Sequence, residues 1–569
     1  MEAFGARPLS SGRKRKSCGD GDGKRAGGDG VGACTRRHLS LDADADRWVQ
    51  RLPADARLQL TSFLTRFLLT NSVMLIATAC SGTDLVVHAV SALAAAFGKL
   101  IGEPFPVRRV CLHLFCKGVV ICVFIGSFAC LCFLVCFPLS PCVWCMVYGR
   151  EAWVGQPRVV GRRFSCERNA KAREFIKRFV KPDLLFKDVT ELHRGVCEDD
   201  MTGKPAHVPA CHGFIAGIVC SSASSLNNHR QKNKRCVQEG VGGTGRTSAG
   251  VRAYVAKYMP EWVVLENVPL LDSKDEEDVS NLDELRRQWE EMGYLFFVVH
   301  MSPRKAGFPV SRRRIYIICI KRLAAPLAVE DNIARCHASL QSSCDPDFHL
   351  SELLVNNHSA GCTCTSALGS AGVLEYEGIA NVDGDNVYKW EDEHEDAYGV
   401  ADAAWPPDLE AWVRNFRPKI CPVEFARLPR RQQELLHYWK AVRDCNPGVS
   451  VGDGVGVSGR GGKIVIIDLN PSFSRCKVTR DHFPCVVPSG RYWVSTAAAE
   501  FCISGEQAFL LQGWDVASLP GNIDLGVTDE GVEVFKRKDC MSLAGNAFEA
   551  RSVTQAMLLA LVHVEWPVS

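Results

Sequence analysis

Two short stretches of the chain place reactive side chains just beyond apolar, strand-like runs. Cys220 follows Phe214–Val219 (FIAGIV), and Glu266-Asn267 follows Trp262–Leu265 (WVVL). In open α/β sheets, ligands sit at the carboxyl ends of the strands. A thiol at one strand end and a carboxylate at another is the arrangement of a nucleophile with an acid partner. A single cysteine is more often a small core residue, and in a chain with 27 cysteines that plain reading weighs heavily. It yields only to the company Cys220 keeps.

Other motifs with chemical associations carry less. Gly454-x-Gly456-x-x-Gly459 matches a dinucleotide fingerprint, but it sits in a Gly/Val/Ser tract and leads into KIVIIDL, a strand-like run. That fingerprint works only with a strand before it and a helix after it, so a flexible loop is expected. Gly240-x-Gly242-x-x-Gly245 precedes a helical segment, yet no strand enters it, and it is read as a mobile loop. Cys142-x-x-Cys145 lacks the second pair a structural zinc site needs, and no metal is expected.

The elements that must position these residues alternate between strand and helix. Residues 48–69 are expected to be helical, and Val73–Ala79 (VMLIATA) a buried strand closed by Cys80-Ser81-Gly82-Thr83-Asp84. Residues 85–98 have the length and alanine content of a helix, with Gly98 near its end. Strand, small-residue turn, helix is the opening of a doubly wound unit. Further strand-like runs are Leu295–Val299 and Ile315–Ile320, with helices expected over Ala170–Val180, Gly250–Met259, Ser280–Met292 and Ser552–His563. Such alternation predicts a mostly parallel sheet.

The chain has 569 residues, 67 Lys and Arg against 64 Asp and Glu, and 47% hydrophobic residues. That balance excludes a polybasic architectural protein and a wholly disordered acidic one. The cysteine share fits free thiols in a reducing compartment rather than a short disulfide scaffold. Residues 1–45 carry no apolar periodicity and are expected to be a disordered tail. Within them the basic run Arg13-Lys14-Arg15-Lys16 reads as a nuclear import signal or as a solvated tail. From Gly118 to Gly149 there is no charged residue in 32 positions, enough to span a membrane, and eight cysteines fall between Cys111 and Cys145.

Taken in order, the chain presents Cys80-Ser-Gly-Thr-Asp84, Phe164-Ser-Cys-Glu167, Leu185-Phe-Lys-Asp188, Val219-Cys220-Ser221, Leu265-Glu266-Asn267-Val268 and Gly307-Phe-Pro-Val-Ser-Arg312-Arg-Arg314. Leu511-Gln512-Gly513 and Gly545-Asn546-Ala547 follow near the end. This succession resembles the cytosine-C5 DNA methyltransferase family over about residues 70–565. The resemblance implies an α/β fold with a Rossmann-like seven-stranded methyltransferase sheet. It also implies a smaller target-recognition region within about residues 321–500 and a C-terminal return to the core over 501–569.

The same resemblance implies roles. Cys220 becomes the nucleophile that adds to cytosine C6, and Glu266 the carboxyl that holds the base's N3 and amino edge. Arg312 and Arg314 match an Arg-x-Arg that positions the base and the catalytic loop. The implied cofactor is S-adenosylmethionine. Cys80, Ser81, Gly82, Thr83 and Asp84 would form the turn facing its methionine part, Glu167 would take the ribose hydroxyls, Asp188 the adenine, and Asn546 would close the pocket. The partner is DNA, with the target cytosine flipped out, and the implied location is nuclear. The same reaction on tRNA, and a catalytically silent member that binds cofactor or nucleic acid, are the alternatives. The family's Pro-Cys-Gln is here Val219-Cys220-Ser221, and its Gln-x-Arg-x-Arg begins with Val310. A membrane span over 118–149 would put the Cys80 and Glu167 blocks on opposite sides of a bilayer, so no membrane is expected. Glu167 lies 83 positions beyond Asp84, far more than one helix and one strand require. Residues 115–162 are therefore read as an insertion of the kind translated intron sequence would give.

Overall fold

The structure, a computed structural model, describes residues 41–69, 74–80, 82–102, 112–116, 119–123, 160–220, 222, 235–322, 329–341, 464–470, 478–480, 482–495, 500–514 and 537–564, with a few isolated positions besides. All belong to one unit, Leu39–Ser569. The basic run at Arg13–Lys16, residues 124–159, the Gly454–Gly459 tract and Ser81 lie outside the described residues.

Seven strands form the main sheet: β1 (Met74–Ala79), β2 (Val160–Cys166), β3 (Leu185–Phe186), β4 (Gly213–Gly217), β5 (Trp262–Asn267), β6 (Tyr294–Met301) and β7 (Arg314–Lys321). Their spatial order is β6-β7-β5-β4-β1-β2-β3. The pairs from β5 through β4, β1 and β2 to β3 are parallel. β7 is antiparallel to both β5 and β6. The segment between β6 and β7 holds only one short 3₁₀ turn, Pro303–Ala306. With no crossover helix there, the chain must double back, and the edge pair is a hairpin.

Period-two alternation explains why the sheet is buried on both faces. Ile215, Val264, Tyr316, Ile318 and Ile320 enter one core, with the helices near Trp48, Leu64, Leu93 and Ile333. Phe214, Ala216, Val263, Leu265, Ile315 and Ile317 enter the other, with Val251, Tyr254, Leu285 and Trp289. The last helix, Ala550–Val562, is buried at every residue.

Several boundaries differ from the sequence expectation. The helix expected over 48–69 is two helices, Leu41–Arg51 and Ala54–Leu69. Pro53 separates them, because it lacks an N–H and disfavours helical backbone at the residue before it. The helix after the Cys80 turn runs Val86–Ile101, and Gly102, not Gly98, ends it with φ +71°. Gly242 to Gly245 are not a loop but the first turn of a helix, Gly242–Tyr258. β2 begins at Val160, so the last residues of the interval read as inserted are part of the sheet. Residues 112–116 and 119–123 pair as a separate two-stranded hairpin.

A four-stranded antiparallel sheet, β8 (Val465–Asp468), β9 (Val478–Arg480), β10 (Tyr492–Ser495) and β11 (Glu500–Cys502), follows within the C-terminal half. It is stitched to the catalytic block by main-chain bonds from Phe483 N to Pro309 O and from Ser311 N to Phe483 O, both 2.7 Å. Among the described residues no helix is long and apolar enough to cross a membrane.

Candidate active site

The strand order reverses between β1 and β4, and the loops that leave these two strands meet there. The β1 loop turns sharply, since Cys80, Gly82 and Asp84 all have left-handed backbone (φ 51°, 71° and 59°). Gly82 is required on two counts. Its φ is positive, and a Cβ there would stand 2.7 Å from the Asn546 carbonyl oxygen. The loop after β1 thus lies against the Gly545-Asn546-Ala547 segment, while the Asn546 side chain is exposed. Asp84 is fully buried, and its carboxylate accepts a short hydrogen bond from the Ser165 hydroxyl of β2. It locks the turn onto the neighbouring strand. Thr83 is buried, and its hydroxyl has no hydrogen-bond partner among the described residues.

Glu167 stands at the end of β2, 8% exposed. Its carboxylate accepts the Gly82 N–H at 3.1 Å and the Asn169 N–H at 2.9 Å. Burial pushes this carboxyl above its ordinary range, and the Asn169, Gly82 and Arg168 amides and the Arg173 cation only partly offset it. Asp188, just beyond β3, accepts from the Thr190 N–H at 2.9 Å and its hydroxyl at 2.7 Å, capping the turn Val189–Arg194. The Cys80 thiol is pushed far up by burial, then by Glu167 and Asp188, so these three groups share one neighbourhood. The donor set suits a nucleoside with a charged amino-acid tail. The anionic carboxylate has lone pairs left for hydroxyl donors, and the Thr83 hydroxyl has no hydrogen-bond partner among the described residues. These residues fit S-adenosylmethionine.

Cys220 follows β4, and Glu266 is the penultimate residue of β5, the next strand. Asn267, fully buried, donates from Nδ2 to the Ile218 carbonyl at 3.0 Å, which fastens the two strand ends together. Arg314, at the start of β7, pairs its Nε with Glu266 Oε1 at 2.9 Å, the side chains being 16% and 12% exposed. The pairing follows from register, because Tyr316 faces Glu266 across the β5–β7 ladder and Arg314 lies on the same face two residues away. Burial raises the Cys220 thiol above its ordinary range and Glu266 adds to that, while Arg314 and Arg312 pull the other way. Cys220, Glu266 and Arg314 are therefore one electrostatic cluster.

Arg312 behaves differently from its neighbour. It is 4% exposed. Nη1 donates to the carbonyls of Val486 and Gly545, both at 3.3 Å, and Nη2 to that of Ala547 at 2.7 Å. Its role is to clamp the 482–495 segment and the Gly-Asn-Ala segment to the catalytic block.

Two residues escaped the sequence reading. Cys485 receives Arg312 Nη1 and Arg314 Nη2 at its sulfur, each at 3.8 Å. Burial alone would raise its thiol, but the two guanidiniums outweigh it and hold the thiol below its ordinary range. Thr244 donates its hydroxyl to the Val219 carbonyl at 2.6 Å and accepts the Ser222 N–H at 3.3 Å, bracketing Cys220. Neither residue lies in a strand-end block, so no local pattern marks it.

Residues 185–349, which contain Cys220, Glu266, Arg312 and Arg314, match the family model described as C-5 cytosine-specific DNA methylase. A curated relative, DNA (cytosine-5-)-methyltransferase DMT5 of Cryptococcus neoformans var. grubii, is 36% identical over 108 residues, 18% of this chain and 4% of its own length. The chain thus matches only a small fraction of that relative. Among solved structures, the S. pombe Dnmt2 methyltransferase aligns over 86% of this chain and 98% of its own, at 10% identity and a TM-score of 0.36. The Entamoeba histolytica methyltransferase EhMeth aligns over the same shares, at 10% identity and a TM-score of 0.34. Residues 185–349, which hold Cys220, Glu266, Arg312 and Arg314, are thus similar to the C-5 cytosine-specific DNA methylase family.

Proposed function

We propose that this protein transfers a methyl group to C5 of cytosine in DNA through a covalent bond between Cys220 and C6. The observation that carries the reading is the convergence of Cys220, Glu266 and Arg314 at adjacent strand ends, next to the Gly82–Glu167 loop. Cytosine C5 is a poor nucleophile until C6 carries an added thiolate. S-adenosylmethionine, when bound, supplies the methyl group in electrophilic form. The Cys220 sulfur attacks C6, and Glu266 bonds N3 and stabilises the adduct as charge moves onto the ring. Arg314 keeps the Glu266 carboxylate aimed. Loss of the C5 proton then restores the double bond and expels the thiolate. Glu167 and Asp188 hold the nucleoside end of the cofactor, and residues 321–500, including the small sheet, read the target. We further place the protein in the nucleus, with Arg13–Lys16 as the import signal; a fusion lacking that run should stay in the cytoplasm.

A DNA substrate carrying 5-fluorocytosine tests the reaction, because fluorine cannot leave C5 as the proton does. A denaturation-stable adduct that requires S-adenosylmethionine and maps to Cys220 is expected. Cys220→Ser should abolish it while cofactor binding persists. An adduct on fluorinated tRNA but not DNA would replace the substrate. Cofactor binding with no adduct on either would make the protein a silent binder and refute the reading.

A further inference from the structure

The Gly240-x-Gly242-x-x-Gly245 motif plays no part in binding a dinucleotide, but its geometry has another use. Gly240 ends the short helix Cys236–Glu239 in left-handed backbone, φ +65°, and Gly242 turns the chain again at φ +66° to start the next helix. A Cβ on Gly242 would stand 2.8 Å from the Ser222 hydroxyl, and one on Gly245 would stand 2.0 Å from the Cys236 carbonyl oxygen. The helix can begin this close to the Cys220 loop only with glycine at both places.

That approach delivers Thr244. A threonine in the first turn of a helix ordinarily bonds its own backbone. Here the partners are tertiary, 25 residues away at Val219 O and 22 residues away at Ser222 N. The hydroxyl uses its one proton toward Val219 and a lone pair toward Ser222, so the two bonds coexist. They fall on the residue before Cys220 and the second residue after it. Thr244 is fully buried, and its bond to the Ser222 N–H is buried with it.

We propose that Thr244 is a positioning residue for Cys220, and that the glycine triplet serves to bring it there. In the family the resemblance points to, a proline stiffens the nucleophile's loop; this chain has Val219 in that place, and the Thr244 hydroxyl supplies the restraint from outside the loop. The inference rests on Cys220 being the nucleophile.

Full-length protein with Thr244→Val, which keeps the shape and removes both bonds, is compared with Thr244→Ser, which keeps the hydroxyl. The first readout is the single-turnover rate of adduct formation with 5-fluorocytosine DNA, alongside calorimetric affinity for S-adenosylmethionine. The second, independent of activity, is the alkylation rate of Cys220 by iodoacetamide, mapped by peptide mass relative to the half-buried Cys197. Thr244→Val should slow adduct formation by about 10- to 100-fold, the scale of a small misplacement of a reacting group. Cofactor affinity should stay unchanged and Cys220 should alkylate faster, since its loop is released. Thr244→Ser should return both rates close to wild type. Wild-type adduct and alkylation rates in Thr244→Val would overturn the proposal. So would a Thr244→Ser that falls as far as Thr244→Val, because packing of the methyl group would then be the cause. If the wild type forms no adduct on any nucleic acid, the proposed function fails and the alkylation arm still decides the role of Thr244. Should valine at 244 prevent folding, Thr244→Ala takes its place with the same expected outcomes.

Discussion

Replacing Arg312 with lysine keeps the positive charge and removes the fork. The guanidinium donates to three main-chain carbonyls, at 3.3, 3.3 and 2.7 Å. An ammonium on a flexible stem can serve one of them well, because it lacks the planar pair of nitrogens. The two longer bonds share one nitrogen and together amount to roughly one good hydrogen bond to a charged group. Their loss should therefore destabilise the protein by roughly 1.5–3 kcal/mol. That is a large part of a typical stability of about 5–15 kcal/mol, yet it leaves the variant folded. Urea unfolding should move to a lower midpoint with an unchanged slope. The carbonyls belong to the segments around Val486 and Gly545–Ala547, so hydrogen exchange should quicken there first. Cofactor affinity should weaken in parallel, because Gly82 packs against the Asn546 carbonyl that this clamp holds in place. An unchanged midpoint, or exchange that rises evenly over the whole chain, would refute the clamp.

Glu266→Gln removes the anion that, after burial, raises the Cys220 thiol; Cys220 should then alkylate faster at neutral pH while adduct formation falls, and slower alkylation would sink the placement of Glu266 beside it. Glu167→Ala removes a charge-assisted acceptor and should weaken S-adenosylmethionine binding by roughly 1.5–3 kcal/mol in calorimetry. Because burial raises the Glu167 carboxyl, its acceptor form is lost as pH falls, starting above the ordinary glutamate range; wild-type affinity should drop there and the alanine variant should be flat, whereas a flat wild-type profile removes Glu167 from the site. Removing residues 112–159 should preserve thermal stability and cofactor binding, since β2 pairs directly with β1 from Val160 onward; a variant that cannot fold, or transcripts that uniformly carry the stretch, would refute the insertion.

What could be read in the sequence follows from the range of the forces involved. Strands such as WVVL and IYIICI are apolar runs because both faces of the sheet are covered, and a local pattern records that directly. The blocks at Cys80, Glu167, Cys220 and Glu266 sit at strand ends, so placing the strands placed the residues. The antiparallel β7 was hidden in a linker length rather than in any motif. Arg312 and Arg314 are two positions apart and look equivalent in sequence. Tertiary contacts separate them: Arg314, at the start of β7, reaches Glu266 across the β5–β7 ladder, while Arg312, before the strand begins, donates to the C-terminal carbonyls. Cys485 lies 173 residues from Arg312, and no local signal joins them. The glycine triplet reads as a mobile loop because no strand enters it, while its cause here is close contact between a helix start and the Cys220 loop.

The two arginines also settle how charge is shared among the sulfur atoms. Arg314 meets Glu266 through Nε and Cys485 through Nη2, and Arg312 gives its nitrogens to carbonyls and to the same Cys485. The positive charge of the site is thus already engaged before it reaches Cys220. The two guanidiniums hold the Cys485 thiol down against its burial, while burial first, and then the Glu266 carboxylate, pushes the Cys220 thiol up against the pull of the same arginines. A resting nucleophile kept protonated does not react with stray electrophiles. Under the proposed function Glu266, which after burial raises the thiol, is the group that a bound cytosine would engage through N3. Binding of the base would then draw the carboxylate's charge away from Cys220 and leave the guanidinium of Arg314 as the nearer influence on the sulfur, coupling activation of the thiol to arrival of its target.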